Sequence, residues 1–380
     1  MENGQSRQPL KTTLLPSFFL PVWLCERFLM SRTSLGTMRS DAPTIQDVAR
    51  VAGVSTATVS RALSSPGRVS ERTRHIVLEA VEETGYVANE MARNLRQQKS
   101  NSICVIAPDL SNPFFSFIIS GIEQICGPKG YGVFVTESGL SQKDKMRVVN
   151  LMAAARTDGY IVLDGLLDHS MLKARGRTEN LAPIVSACEW TNGSSAPSVT
   201  VDNVGGAVQA VEHLAALGHT KIGHITGPRE NVLTVERIKG FKRGLDSCGL
   251  EYRDDFVLEG GFSLESGHEA AEKWLQMKDR PTAMFCASDR EAFGFISRLA
   301  KDGVKVPEDV SVIGFDDIEV SGFFVPALTT VSQPRVQIGR RAAEMLFELI
   351  QGEADPEDAN PQLDVQLVVR ESTAAPAQAT

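Results

Sequence analysis

Apolar positions change period along this chain. Between Thr44 and Leu63 they recur at helical spacing in two short blocks: Ile45, Val48, Ala49 and Ala52, then Val59 and Leu63. Thr44 can cap the first block, with Asp47 three residues on reaching back as in a capping box. Gly53 stands where the chain must bend, and Ser55 is placed to cap the second helix. Ser64 to Arg68 is a loop by composition. Ser70 then caps a third block, Glu71 to about Thr84, with Ile76, Val77, Ala80 and Val81 facing inward and Gly85 closing it. Asn89 to Ser100 is too short for a stable isolated helix.

Beyond Ser102, short apolar runs alternate with helical blocks. Strands are predicted at Ile103–Pro108, Tyr131–Thr136, Tyr160–Leu163 and Ile184–Ala187, with helices at Phe114–Cys126 and Lys143–Arg156. A second series starts near Val199. Its helices are Gly205–Leu217, Val232–Cys248, Leu264–Met277 and Arg290–Lys301; its strands are Ile222–Thr226, Phe256–Glu259, Ala283–Ala287 and Val310–Phe315. Such alternation predicts an α/β core of parallel sheets with helices on both faces. Two series predict two lobes facing a cleft, where strand C-termini converge and small ligands bind.

Residues 1–42 break the pattern. Leu14 to Cys25 is an apolar run interrupted by Pro16 and Pro21, too short to span a bilayer. The expectation is a start at Met38 or Met30, with the preceding stretch an extension or a disordered tail.

Charge divides the chain. The net charge over 380 residues is −8, yet Pro43 to Ser100 carries 8 Lys/Arg against 6 Asp/Glu, while Asn101 onward carries 26 against 38. A mildly positive helical unit on an acidic body suits DNA contact by one end. The second helix frees Thr56, Ala57, Ser60 and Arg61 for an outer face. Small side chains permit close approach to the major groove, and an arginine can give two hydrogen bonds to guanine. Thr44, Ser55 and Thr58 complete the candidate DNA-contacting set. By spacing alone, a helical hairpin with a solvated face fits as well.

No Gly-x-Gly-x-x-Gly follows a strand, and no Walker A motif or nucleophile elbow occurs. The 6 histidines show no metal-ligand spacing, and the 6 cysteines form no CxxC pair, so free thiols in a reducing compartment are expected. The chain is read as a non-enzyme without metal or cofactor.

The runs DVARVAGVSTATVSRAL, VSERTR, GYVANEMARNLR and ICVIAPDLSNPFFSFIISGIE resemble the lactose/galactose repressor (LacI/GalR) family, with similarity from about Pro43 to about Thr373. The resemblance implies a helix-turn-helix headpiece (43–88), a hinge helix and linker (89–100) and a periplasmic-binding-protein-like effector core (101–375). Lobe 1 would take 101–200 and 333–362, lobe 2 201–332 and 363–375, with crossings near Thr200, Ser332 and Gln362. It implies a homodimer on a near-palindromic duplex operator, in the cytoplasm and away from membranes. It assigns Asn89, Ala92, Arg93 and Leu95 to a hinge helix formed on DNA, with Leu95 as a minor-groove wedge.

Candidate ligand residues lie at strand ends. Phe114 or Phe115 opens a helix after the first strand, capped by Asn112 or Ser111; one phenylalanine is expected in the core and Phe114 in the cleft. By family position, Arg237 grips ligand hydroxyls and Phe262 stacks on a ring. Ser288, Asp289 and Asp316 end strands; Asp317 is read as a cap, and Asp202 lies near the first crossing. Aromatics, carboxylates and an arginine suit a nucleoside, and a hexose nearly as well. ENVLT, Glu230 to Thr234, departs from the purine-binding pattern, and the resemblance favours a cytidine-like nucleoside. Two other readings stand beside this one: an exported periplasmic-type solute-binding protein, and a regulator controlled by a protein partner.

Overall fold

The structure is a computed structural model that describes residues 43–86, 100–139, 141–154, 157–167, 182–191, 194–353 and 360–377. The segment 1–42 and the hinge positions Asn89, Ala92, Arg93 and Leu95 lie outside the described residues. The chain divides into two compact units, Met1–Asn89 and Glu90–Thr380.

The first unit holds three helices, α1 (Ile45–Ala52), α2 (Thr56–Ser64) and α3 (Glu71–Thr84). The Asp47 carboxylate accepts hydrogen bonds from both the Thr44 backbone N–H (2.9 Å) and its hydroxyl (2.7 Å). Gly53 ends α1 at φ 63°, a left-handed conformation that costs glycine least. Ser55 and Ser70 cap α2 and α3, accepting from Thr58 and Thr73. Val48, Ala49, Ala52, Val59, Ala62, Val77 and Ala80 form the core. Ile45, Leu63 and Val81 are half-buried against this core, and Ala62 joins it; one expected core residue stands differently, Ile76, which is 37% exposed. With α1 only 8 residues long and α2 only 9, the buried arc on α3 is narrow, and Val77 and Ala80 fill it.

The second unit carries two six-stranded sheets. In chain order, β1 (Ser102–Ala107), β2 (Gly132–Glu137), β3 (Gly159–Val162), β4 (Ile184–Ala187) and β5 (Ser198–Val201) belong to the first. β6 (Ile222–Thr226), β7 (Val257–Glu259), β8 (Ala283–Cys286), β9 (Ser311–Asp316) and β10 (Thr329–Ser332) belong to the second. β11 (Gln362–Leu363) joins the first sheet and β12 (Gln366–Val368) the second. The orders are β11-β5-β4-β3-β1-β2 and β12-β10-β9-β8-β6-β7, parallel throughout except for β12 on β10. Strands buried on both faces, such as SICVIA and SVIGFD, read as continuous rather than alternating runs for this reason.

The helices are α4 (Phe114–Cys126), α5 (Gln142–Ala154), α6 (Asn203–Ala216), α7 (Val232–Ser247), α8 (Leu264–Gln276), α9 (Asp289–Lys301) and α10 (Arg335–Gln351). The chain passes between sheets three times: at Asp202, at Gln333–Pro334 and at Asp364–Val365. α10 follows a strand of the second sheet yet packs on α4 and on β3 to β5 of the first. Gly121 and Gly339 make that crossing close. A Cβ on Gly121 would meet the Val336 carbonyl oxygen at 2.2 Å, and one on Gly339 the Ile118 oxygen at 2.0 Å. All five described cysteines are free thiols, four of them buried.

Candidate DNA-binding face and ligand cleft

In the first unit, Thr56, Ala57 and Arg61 are exposed on α2, with Thr58 and Ser60 half-buried. Arg61 Nε donates to the Ala57 carbonyl at 3.2 Å, which fixes the stem of the side chain. Its terminal nitrogens are the pair that a guanine edge accepts from. The Thr44 and Ser55 hydroxyls sit at the first turns of α1 and α2, where helix N-termini favour phosphate.

The cleft is a property of the second unit. Five non-glycine residues there have positive φ, and four lie just beyond or at strand ends: Cys188 (66°), Phe262 (56°), Asp316 (122°) and Asp317 (52°). Such backbone costs about 1–3 kcal/mol per residue and persists where neighbours enforce it, commonly at ligand sites. Cys188 follows β4 in lobe 1; the other three follow β7 or end β9 in lobe 2.

Arg237, on α7, is the hub. It is only 2% exposed. Its Nε donates to Asn203 Oδ1 at 3.0 Å and its Nη1 to the Ala287 carbonyl. The guanidinium lies 3.7 Å from the Phe315 ring centroid and 5.7 Å from that of Phe262. Burial lowers its pKa, while Asp316, Glu291 and Glu189 act in the opposite sense and hold its charge. The carboxyls respond in kind: burial raises Asp316, against the attraction of Arg237. Burial likewise pushes Glu189 and Glu291 up to about 7, opposed by their hydrogen bonds.

Glu291 aims Phe262. Its Oε1 accepts from the backbone N–H of Gly261 (2.8 Å) and of Phe262 (2.9 Å), which holds the β7–α8 loop in its strained form. The Phe262 ring covers Gly227, where a Cβ would lie 2.1 Å from its Cζ. Asp316 accepts from Gln333 Nε2 at 2.8 Å, at the second passage between lobes. Contacts that cross from lobe to lobe include Arg290 with Asp109 at 3.0 Å and Arg335 Nη2, which donates to the Asp317 carbonyl at 2.7 Å.

Arg237, Phe262 and Asp316 thus come together. Asp289 requires a correction. It is fully buried, one oxygen accepting from Ile318 N (2.9 Å) and Ser321 Oγ (2.6 Å), the other from Thr330 Oγ1. Ile318 and Ser321 lie on the β9–β10 connection and Thr330 in β10, so Asp289 fastens that connection to the sheet and both its oxygens are occupied. Ser288 caps α9 and Asp202 caps α6, accepting from Glu291 N and Gly205 N. Phe114 is buried as deeply as Phe115, the two rings meeting edge to face at 5.2 Å. α4 begins after Pro113, with Asn112 Oδ1 accepting from Phe114 N at 3.1 Å. Asp317 pairs with Arg370 at 2.7 Å rather than capping. Sequence reading passed over Glu189, Asn231 and Glu291; the one signal was an acid just past a strand at Glu189 and an amide directly before a helix at Asn231, while Glu291 is the third residue of α9.

A three-helix unit with an outward recognition helix, joined to a two-lobed core with a charged, aromatic cleft, defines a ligand-controlled DNA-binding regulator. Comparison with known proteins agrees. Residues 44–89 match the "Bacterial regulatory proteins, lacI family" description, and residues 211–373 match a periplasmic binding protein-like domain. The chain is 39% identical over 336 residues to the HTH-type transcriptional repressor CytR of Escherichia coli (strain K12), spanning 88% of this chain and 97% of that one. It is 36% identical to the repressor PurR of Photobacterium profundum, over 87% and 98%. A solved Lac repressor dimer, bound to operator and the anti-inducer ONPF, superposes with a TM-score of 0.78 at 31% identity, covering 88% of this chain and all of that one. A transcriptional regulator CelR–cellobiose complex gives 0.66 at 31%, over 87% and 99%. This chain belongs to the LacI family of transcriptional regulators and is a DNA-binding transcriptional repressor with an effector-binding core. Among the described residues, no helix is long and apolar enough to cross a membrane.

Proposed function

We propose that the effector is a nucleoside of the cytidine type, bound between the lobes of a cytoplasmic homodimeric repressor. The observation that carries this reading is the strained Phe262, held by Glu291 near buried Arg237. It offers a ring face for a base, with Asp316 at the end of β9 as acceptor for ribose hydroxyls. Asn231 and Leu233 stand at the loop and first turn where the sequence departs from the purine-binding pattern. Ligand and operator binding are coupled through the three lobe passages and the hinge, typically by ~1–3 kcal/mol in either direction. In this reading Asn89, Ala92, Arg93 and Leu95 pair on DNA and Leu95 opens the minor groove.

Gel-shift titration of a near-palindromic duplex tests it, with cytidine, uridine, adenosine, ribose and cellobiose added singly. A nucleoside should change operator affinity about fivefold or more. A response to sugars alone would replace the nucleoside with a sugar; a shift insensitive to every metabolite would favour control by a protein partner.

Dimerisation is supported by an apolar patch on lobe 2 between β9 and β10, where Phe323 is 88% and Val325 87% exposed. Phe323→Asp should weaken self-association at least severalfold in sedimentation velocity while leaving the thermal midpoint within a few degrees. An unchanged dimer would move the interface elsewhere.

A further inference from the structure

Lobes joined by short passages rotate about the edge where those passages lie. Here β5 and β11 stand at one edge of the first sheet and β10 and β12 at one edge of the second, and the passages leave from β5, β10 and β11. β1 stands three strands in from β5, and β8 two strands in from β10. At about 4.8 Å per strand, β1 lies roughly 14 Å from that edge, so a rotation of about 10° moves its end by roughly 2–3 Å. Asp109 follows β1, and Arg290 is the second residue of α9, which follows β8. Arg290 Nη1 donates to Asp109 Oδ2 at 3.0 Å, and a displacement of that size breaks the bond. Arg335 differs. It donates to the Asp317 carbonyl beside the second passage, its guanidinium 4.6 Å from the Phe117 ring centroid, where the same rotation moves little.

Each partner is set in place by its own lobe. Asp109 Oδ1 accepts from the Ser111 backbone N–H (2.8 Å) and hydroxyl (2.6 Å), which leaves Oδ2 turned to Arg290. Burial raises the Asp109 carboxyl, but Ser111 and Arg290 outweigh it and hold it below its ordinary value, so it is charged at neutral pH. The pair is partly withdrawn from water, with 17% of the Arg290 side chain and 36% of that of Asp109 exposed. The residues around Arg290 are committed elsewhere: Ser288 caps α9, Asp289 fastens the β9–β10 connection, and Glu291 holds Gly261 and Phe262. α9 cannot slip against α8, because a Cβ on Gly267 would strike the Glu291 carbonyl and one on Gly294 that of Leu264. Arg290 is therefore rigidly joined to the loop that carries Phe262.

We propose that Arg290 and Asp109 are a salt-sensitive clasp between the lobes, which sets how far the closed arrangement is populated and so how tightly the cleft takes its effector. The bond forms only when the lobes approach, so every opening breaks it and every closure remakes it. Both are positioning residues: they act through where the lobes stand. Removing the pair shifts the open–closed equilibrium by the strength of the pair, and apparent effector affinity falls with the closed population. The clasp acts whichever effector the cleft takes, and the proposal does not rest on the nucleoside reading.

Hydrogen–deuterium exchange of the full chain, read by mass spectrometry at low and high salt, tests it with no effector needed. In Arg290→Gln, the segment from Asp109 to Phe117 should exchange about threefold faster or more than in wild type, although the substitution lies in the other lobe. Arg290→Lys keeps the charge and should restore most of the protection. Raising NaCl from about 0.05 to about 0.5 M should bring wild type toward the variant and leave Arg290→Gln unchanged, because salt screens a partly exposed pair. Exchange in lobe 1 that does not change, or an equal salt response in the two proteins, overturns the proposal. Should Arg290→Gln fail to fold by circular dichroism, Asp109→Asn decides. It keeps the acceptor for Ser111 and loses the charge, and it should speed exchange in the first turn of α9 across the cleft. Faster exchange confined to the β1–α4 segment would again overturn the clasp.

Discussion

Arg237→Met should destabilise the core by about 3–5 kcal/mol at a pH of about 7.5, the usual cost of removing one partner from a buried charge cluster. Methionine fills much of the volume against Phe315 and Phe262, so the loss is chiefly electrostatic. Asp316, Glu291 and Glu189 would keep their burial and lose the cation that all three face. The pH dependence separates charge from packing. Glu189 and Glu291 titrate near 7 in the folded chain, against an ordinary value of 4.5. Their protonated forms add stability that is complete below about 4.5 and disappears as pH rises through about 7. In the variant the charges left uncompensated at high pH are neutral at low pH, so the penalty should shrink at a pH of about 5.5. Urea unfolding at the two pH values measures it; an equal loss at both would make packing the cause. Effector response should vanish in either case, because the guanidinium lies between the two rings and the strand-end acids.

Arg61→Ala should cost about 1–3 kcal/mol of operator affinity, concentrated at one symmetric base pair. The side chain is exposed and its one described hydrogen bond runs to Ala57 on its own helix, so the headpiece should fold as before. Competition against a set of operators randomised at single positions reads the effect. Loss at one position identifies a base contact. A uniform loss across all sequences, with a shallower salt dependence, would make Arg61 a phosphate contact instead.

Much of the core was legible because its elements are bounded by local chemistry. Phe114–Cys126, Ile184–Ala187 and Ile222–Thr226 fall where apolar period and flanking breakers place them. Phe256 was read as the first residue of a strand and sits instead in a short 3-10 turn, its side chain buried beneath the Arg253 guanidinium at 3.9 Å. Ile76 was read inward from its period, but how wide an arc is buried depends on the neighbours' size, which no local pattern states. The site was less legible. Arg237 and Phe262 were singled out through family position, and Asp316 as a carboxylate at a strand end. Glu189 and Glu291 acquire meaning from backbone N–H groups 24 to 30 residues earlier, those of Gly165 and of Gly261 and Phe262. Asp289 failed in the opposite direction. Its place at a strand end resembled a ligand contact, and the three donors that occupy it come from 29 to 41 residues further along.

Where α4 crosses α10 at Gly121 and Gly339, main chain rests on main chain with no side chain between. Lobe 1 therefore has no soft layer at that contact to absorb a push. In the proposed reading, a displacement on ligand binding is taken up at Asp202, Gln333–Pro334 and Asp364–Val365 rather than at this contact. A signal carried that way loses little amplitude before it reaches the surface.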